Sequence, residues 1–286
     1  DPNDLTLDGE NNGWLPISRD KDTPFNGIYD GGYHAISNLF IQSDESYLGL
    51  FGVTEIATIK QLVLEDIDYR PTKFNDSGSE YIGGLVGYVD GRETTIERVY
   101  VTGQIGHNPA NADALFYRYI GGLIGRTFPY TGVGTGKVEL LQSGAEVDIT
   151  GHSIIGGLIG QAYSGTILPY STKLEDVFYQ GKLTLYGTNM GGLIGQSNYQ
   201  TEINRAYTYA EFDRFTRIDG TNGSYSNAGG VTAFINNSAY TQNMENILVN
   251  VFRIVSPSNL VTYIRYNSNN DTPANSSHSY TQNDAS

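Results

Sequence analysis

Gly83-Gly84-Leu85-Val86-Gly87 returns as Gly121-Gly122-Leu123-Ile124-Gly125, as Gly156-Gly157-Leu158-Ile159-Gly160 and as Gly191-Gly192-Leu193-Ile194-Gly195. Degenerate copies flank these: Leu48-Gly49-Leu50-Phe51-Gly52 before them and Ala228-Gly229-Gly230-Val231-Thr232 after. With the second glycine aligned, the copies fall at 49, 84, 122, 157, 192 and 230, at intervals of 35 or 38 residues. A self-similar period of this size predicts stacked repeats rather than one domain around a central core.

A second patterned segment follows each cassette. Thr95-Ile96-Glu97-Arg98-Val99-Tyr100-Val101-Thr102-Gly103 and Lys173-Leu174-Glu175-Asp176-Val177-Phe178-Tyr179-Gln180-Gly181 match position for position. Aligning the looser copies gives two apolar columns. One runs Ile59, Ile96, Val138, Leu174, Ile203 and Met244; the other runs Leu62, Val99, Leu141, Val177, Ala206 and Ile247. Short runs rich in β-branched and aromatic residues, ended by glycine, predict strand, bend, strand, and no stretch carries a period of 3.6. One unit buries too little to stand alone. Windings stacked about 4.8 Å apart set like residues on like residues. The expected fold is all-β, a right-handed parallel β-helix of about six to seven coils with projecting loops. Gly49, Gly52, Gly83, Gly84, Gly87 and their counterparts are expected where coils approach closely or the backbone needs positive φ. Leu85, Leu123, Leu158 and Leu193 are expected inside.

Residues 1–47 read as an N-terminal capping coil, in which Trp14 shields the first layer. Residues 48–256 form the repeats. Residues 257–286, polar and rich in Asn and Ser, read as a tail or capping segment.

The chain has 286 residues, with 31 acidic against 17 basic and a formal net charge of −14. Such acidity repels phosphate backbones and anionic bilayers, so nucleic acid is not an expected partner. No run of about 18 apolar residues exists, so no direct membrane insertion is expected. The absence of cysteine excludes disulfides, zinc thiolate sites and a cysteine nucleophile.

The cassettes resemble the GLUG motif, named for its Gly-Leu-x-Gly core and found in tandem in bacterial surface proteins, including adhesin-like proteins and immunoglobulin A1 metallopeptidases. Trp14 to Leu39 resembles the segment that commonly precedes such repeats. The resemblance spans roughly 14–255 and implies a building block at the cell surface or outside the cell. The zinc-binding His-Glu-x-x-His of the peptidases is absent: His34, His107, His152 and His278 are isolated in sequence.

No catalytic constellation emerges, and no cofactor is expected. Gly-Gly-Leu-Ile-Gly lacks the Lys-Ser/Thr of a phosphate loop and recurs too often to be one. Glu65, Asp66, Asp68, Glu97, Glu175 and Asp176 are the carboxylates a polysaccharide-cleaving β-helix would use, but a solvated coil exterior, with charges between apolar columns pointing outward, is the favoured explanation. Oxygen-rich loops offer calcium ligands at Asp1, Asp4, Asp8 and Asp219, where ordinary Asx turns are the alternative. Tyr117, Tyr119, Tyr130, Tyr163, Tyr170, Tyr199, Tyr207 and Tyr209 lie in or beside loops, where a ring with a hydroxyl suits sugar or protein recognition. The expected function is a non-enzymatic extracellular module that binds a glycan or protein ligand or acts as a rigid spacer. A polysaccharide lyase or glycoside hydrolase, and an accessory domain of a secreted peptidase, are the alternatives.

Overall fold

The computed structural model describes residues 13–72, 79–90, 93–106, 118–128, 136–163, 171–185, 187–198, 201–214, 227–236, 242–255 and 260–267. Among these every regular element is a strand. The chain opens with β1 (Phe25–Ser37), β2 (Phe40–Ser43), β3 (Tyr47–Leu48) and β4 (Phe51–Pro71). The next set is β5 (Glu80–Gly83), β6 (Val86–Asp90) and β7 (Glu93–Gly106). It recurs as β8 (Arg118–Gly121), β9 (Ile124–Phe128), β10 (Lys137–Leu141) and β11 (Gly144–Gly151), then as β12 (Ile154–Gly156), β13 (Ile159–Tyr163) and β14 (Ser171–Leu185). The remaining strands are β15 (Asn189–Gly191), β16 (Ile194–Asn198), β17 (Thr201–Arg214), β18 (Asn227–Gly229), β19 (Thr232–Asn236), β20 (Gln242–Val255) and β21 (Leu260–Asn267).

Corresponding strands of successive sets pair in parallel. The short strands before each cassette form a six-stranded sheet ordered β18-β15-β12-β8-β5-β3, and the others form a fifteen-stranded sheet. This is the pairing of a β-solenoid, in which each set lies on the one before it. The last strand breaks the pattern: β21 runs antiparallel to β20 along eight residues, Leu248↔Asn267 to Val255↔Leu260. At the other end Trp14 donates its backbone N–H to Phe40 O (2.7 Å) and its indole N–H to Leu50 O (3.4 Å), with the side chain still 40% exposed.

The pairing register corrects one place in each of the expected columns. Ile59, Ile96, Leu140, Leu174, Ile203 and Met244 are in register, so Leu140 and not Val138 occupies the third place. Val138 pairs with Thr94 and Thr172, and Leu141 with Glu97 and Glu175. The place between Val99 and Val177 belongs to Ser143, not Leu141, as the pairing of Gly144 with Tyr100 and Phe178 fixes. Ser143 is buried, accepts at its hydroxyl from Val99 N–H (3.0 Å) and donates to Leu141 O (2.7 Å). A hydroxyl there replaces a ladder partner that β10 and β11, being separate strands, do not supply.

Between the two columns the backbone turns a corner through a left-handed residue in every set. Tyr33, Gln61, Arg98, Gln142, Asp176, Arg205 and Asn246 have φ of 64, 54, 55, 48, 55, 53 and 53°. The cassette glycines have no positive φ, contrary to one of the two reasons expected for them. Close approach is their whole explanation. A Cβ on Gly83 would stand 2.1 Å from Val86 O, and one on Gly84 would stand 2.3 Å from Gly122 O and 2.8 Å from Val101 Cγ1. The second position is the same in each copy: Gly122 faces Gly157 O and Ala145, Gly157 faces Gly192 O and Tyr179, and Gly192 faces Gly230 O and Thr208. The wall therefore folds inward at each cassette until its backbone touches the opposite wall.

The cassettes are also bonded to one another. Gly122 N–H donates to Gly157 O (3.0 Å), Leu123 N–H to Leu158 O (3.0 Å), and Leu158 N–H to Leu193 O (2.9 Å). The carbonyls of Leu123, Leu158 and Leu193 each accept a second bond, as Leu158 O does from Ile124 N–H (2.9 Å). Leu85, Leu123, Leu158 and Leu193 are wholly buried, as expected.

Candidate functional site

Folding the wall inward brings the outer sides of its two arms together. A Cβ on Gly87 would stand 2.8 Å from Tyr81 O on the facing arm, so only glycine fits at the last cassette position. The side chains beside this seam are aromatic. Tyr47, Tyr81 and Tyr119 occupy equivalent places on β3, β5 and β8 and stack, with centroids 5.5 and 5.3 Å apart and planes within 10°. On the other arm Tyr88 and Phe128 stack at 6.3 Å, and Phe128 and Tyr163 at 5.0 Å. Tyr88 meets Tyr81 edge-on at 4.9 Å and Tyr47 at 5.5 Å, joining the two rows.

Two cations lie in this seam. The Arg126 guanidinium carbon is 5.4, 5.2, 5.2 and 5.0 Å from the centroids of Tyr81, Tyr119, Phe128 and Tyr163, and its Nη1 donates to the Tyr81 hydroxyl (3.0 Å). Lys21 Nζ stands 4.0 Å from Tyr88 and 5.9 Å from Tyr47. A cation over ring faces is favourable and gains as water is excluded. Tyr88 is buried in the seam, and Tyr47, Tyr81 and Tyr119 are half-buried. Burial, the largest influence, pushes the Tyr47 hydroxyl up to about 12 and raises that of Tyr88 further. Burial likewise raises the Asp90 carboxyl, with Lys21 opposing it and Glu55 adding to it.

The corner ladder is a second polar array on another wall. Gln61 donates to the Tyr33 hydroxyl (2.9 Å), Arg98 Nε to Gln142 Oε1 (2.9 Å), and Asn246 Nδ2 to Asn204 Oδ1 (3.1 Å). Arg205 clasps Asp176 (2.6 and 2.9 Å) and Glu175 (2.5 Å). Hydrogen bonds from Lys173 and then Arg205 hold the Glu175 carboxyl below its usual range, and Arg205 does the same to Asp176. Asp68 is taken by Arg70 and Gln104, Glu65 by Ser37, and Glu97 by Arg98. Among the described residues, five of the six expected carboxylates, all but Asp66, thus have side-chain partners on the surface.

Among the described residues no group of three or more His, Asp or Glu is placed to hold a metal ion. The calcium candidates Asp1, Asp4, Asp8 and Asp219 lie outside the described residues, as do Tyr117, Tyr130, Tyr170 and Tyr199. Of the remaining tyrosines, Tyr119 and Tyr163 meet in the seam on either side of Arg126. Tyr207 and Tyr209 lie on β17, away from it. The parallel stacking turns ring faces toward one another. The seam therefore presents hydroxyl edges rather than the open faces expected of a stacking platform.

Sequence reasoning passed over Lys21, Tyr47, Tyr81, Tyr88, Arg126 and Phe128. Part of the signal was present. Tyr47-Leu48-Gly49, Tyr81-Ile82-Gly83 and Tyr119-Ile120-Gly121 align when the cassettes do. Placing Arg126 among them required the inward fold of the wall.

Comparison with known proteins agrees with the repeat. Residues 78–106 match the family model of the GLUG motif, so the chain carries that motif, as the cassettes predicted. Halomucin of Haloquadratum walsbyi (strain DSM 16790 / HBSQ001) is 30% identical over 211 residues, which is 65% of this chain and 2% of that protein. The chain thus spans a small fraction of this relative's length. No solved structure matches it.

Proposed function

We propose that the chain is a non-enzymatic module of an extracellular or cell-surface protein, a right-handed parallel β-helix of about six to seven coils that holds a ligand-binding surface on a stiff rod. The observation that carries this reading is the cassette ladder, whose glycines and leucines bond from set to set without a break from Gly84 to Val231. Repeats locked to their neighbours in this way resist bending and suit a spacer. The likeness to the GLUG motif and to part of halomucin supports a surface module.

A polysaccharide-cleaving enzyme is the rival. Such chemistry needs a carboxyl with a raised pKa opposite an ionised one. Glu175 and Asp176 are both shifted the other way. Incubation with acidic and neutral polysaccharides, alongside a glycan and protein binding array, separates the two. Binding without release of new chain ends is expected. Turnover abolished by one carboxylate substitution would overturn the reading.

A further inference from the structure

Nearly all the described cations are paired with carboxylates. Arg19, Lys60, Arg70, Arg98, Arg118, Lys137, Lys173, Lys182 and Arg205 each stand within ion-pair distance of a carboxylate. Among the described side chains only Lys21 and Arg126 do not, and both lie in the aromatic seam. With 31 carboxylates in the chain against 17 cations, an arginine kept apart from every described carboxylate needs a reason.

Arg126 is incompletely satisfied. Its Nε is buried with no acceptor among the described residues, although Nη1 reaches the Tyr81 hydroxyl. Gln161 pairs in register with Arg126 on the next strand, and its Oε1 is a buried acceptor with no donor among the described residues. A donor and an acceptor left over side by side match the two faces of a hydroxyl group, and the guanidinium matches an anion, bidentate where the anion is planar. Tyrosine hydroxyls line one arm, and Gln196 continues the column beyond Gln161. At the opposite end Asp90 and Glu55 act on each other beside Lys21, which disfavours an anion there. The favourable stretch is Arg126 to Gln196.

We propose that this stretch binds an acidic oligosaccharide, its anionic group on Arg126 and its hydroxyls on Gln161, Gln196 and the tyrosine edges. The proposal rests on the ligand-binding reading above and supplies its ligand class. The anion must be recognised locally, because the chain's charge of −14 repels polyanions at long range. A neutral sugar leaves the Arg126 guanidinium without a counter-anion. A free anion lacks the hydroxyls.

The test is calorimetric titration of the whole chain with a uronic-acid oligomer, a sulfated oligomer and a neutral oligomer of equal length, with the melting temperature of each variant measured in parallel. Binding of a charged oligomer is expected, weakening with salt and falling about tenfold or more in Arg126→Gln. Arg205→Gln, on the corner ladder, is expected to bind as wild type does. The carboxylate and sulfate arms identify the anion. Hydrogen exchange on the wild type reads the site without any variant, with slowed exchange expected on β8, β9, β13 and β16. Failure of both charged oligomers to bind overturns the proposal, as does equal weakening in both variants or protection confined elsewhere; Arg126 is then a pin between coils. If a neutral glycan or a protein binds instead, the module reading stands and this inference falls. If the charged oligomer binds and is cleaved, the inference stands and the non-enzymatic reading falls.

Discussion

The Tyr179 hydroxyl donates to Val147 O, in the preceding strand set, at 2.9 Å, while its ring lies against Gly157 in the cassette opposite. The pairing shows how narrow the interior is. A Cβ on Gly157 would stand 2.1 Å from Gly192 O and 2.3 Å from Tyr179 Cγ, so neither the backbone nor the ring has room to yield. Tyr179 pairs in register with Ala145, whose small side chain faces Gly122.

Gly157→Ala is therefore expected to destabilise by about 3 kcal/mol, at the upper end of overpacking costs. Tyr179→Phe keeps the ring and strands the Val147 carbonyl, for about 1–2 kcal/mol. Denaturant melts of the two variants check this. A Gly157→Ala protein as stable as wild type would mean that the walls do not meet.

Glu80 and Arg118 form an ion pair between adjacent short strands, 2% and 1% exposed. Burial alone drives the arginine's pKa down, and Glu80 opposes that shift. Removing one partner leaves the other charge buried, so Glu80→Leu or Arg118→Met is expected to cost about 3–5 kcal/mol. Glu80→Leu combined with Arg118→Met is expected to cost less than either single change. Chemical denaturation of all the variants closes the cycle, and additive losses would refute the pairing.

The corner ladder predicts an order of substitutions. Gln142 has φ of 48°, where a β-branched side chain is strained and glycine is not. Gln142→Val is expected to lose about 1–2 kcal/mol, and Gln142→Gly to remain within about 0.5 kcal/mol of wild type. Thermal melts giving the reverse order would place the bend elsewhere.

Acid should act through Arg205. The Glu175 and Asp176 carboxyls are depressed in the folded chain, so their contribution is complete above the usual carboxylate range near about 4 and is lost as pH falls through their lowered values. Arg205→Gln returns both toward ordinary values. Its melting temperature is expected to change little at neutral pH, since the groups are exposed, and to fall less steeply than wild type on acidification. Parallel curves would show that the clasp does not form in solution.

The cassettes were legible because glycine has no substitute where backbones meet, so the sequence repeats what the geometry repeats. The columns were legible only where strands run on unbroken. In β10 and β11 three apolar residues, Val138, Leu140 and Leu141, compete for two slots, of which Leu140 takes one and a serine, Ser143, the other, so spacing alone chose the wrong phase. The left-handed corner was hidden because Gln61, Arg98, Gln142 and Asp176 look like any polar exterior; no glycine marks the turn. Arg126 was hidden for another reason. Its four rings come from residues 81, 119, 128 and 163, and they meet only after the wall folds inward.

Everything depends on successive strand sets lying in register, and the cysteine-free chain permits a direct measurement. Lys173 and Glu202 are register partners, and Asn204 lies two residues beyond. Strand spacing puts the Cα atoms of the first pair about 4.8 Å apart, within disulfide range, and those of Lys173 and Asn204 about 8 Å apart, beyond it. Oxidation of Lys173→Cys with Glu202→Cys is expected to form an intramolecular bridge in the folded protein, while Lys173→Cys with Asn204→Cys stays reduced. Equal bridging, or bridging of the second pair alone, would contradict the stacked register.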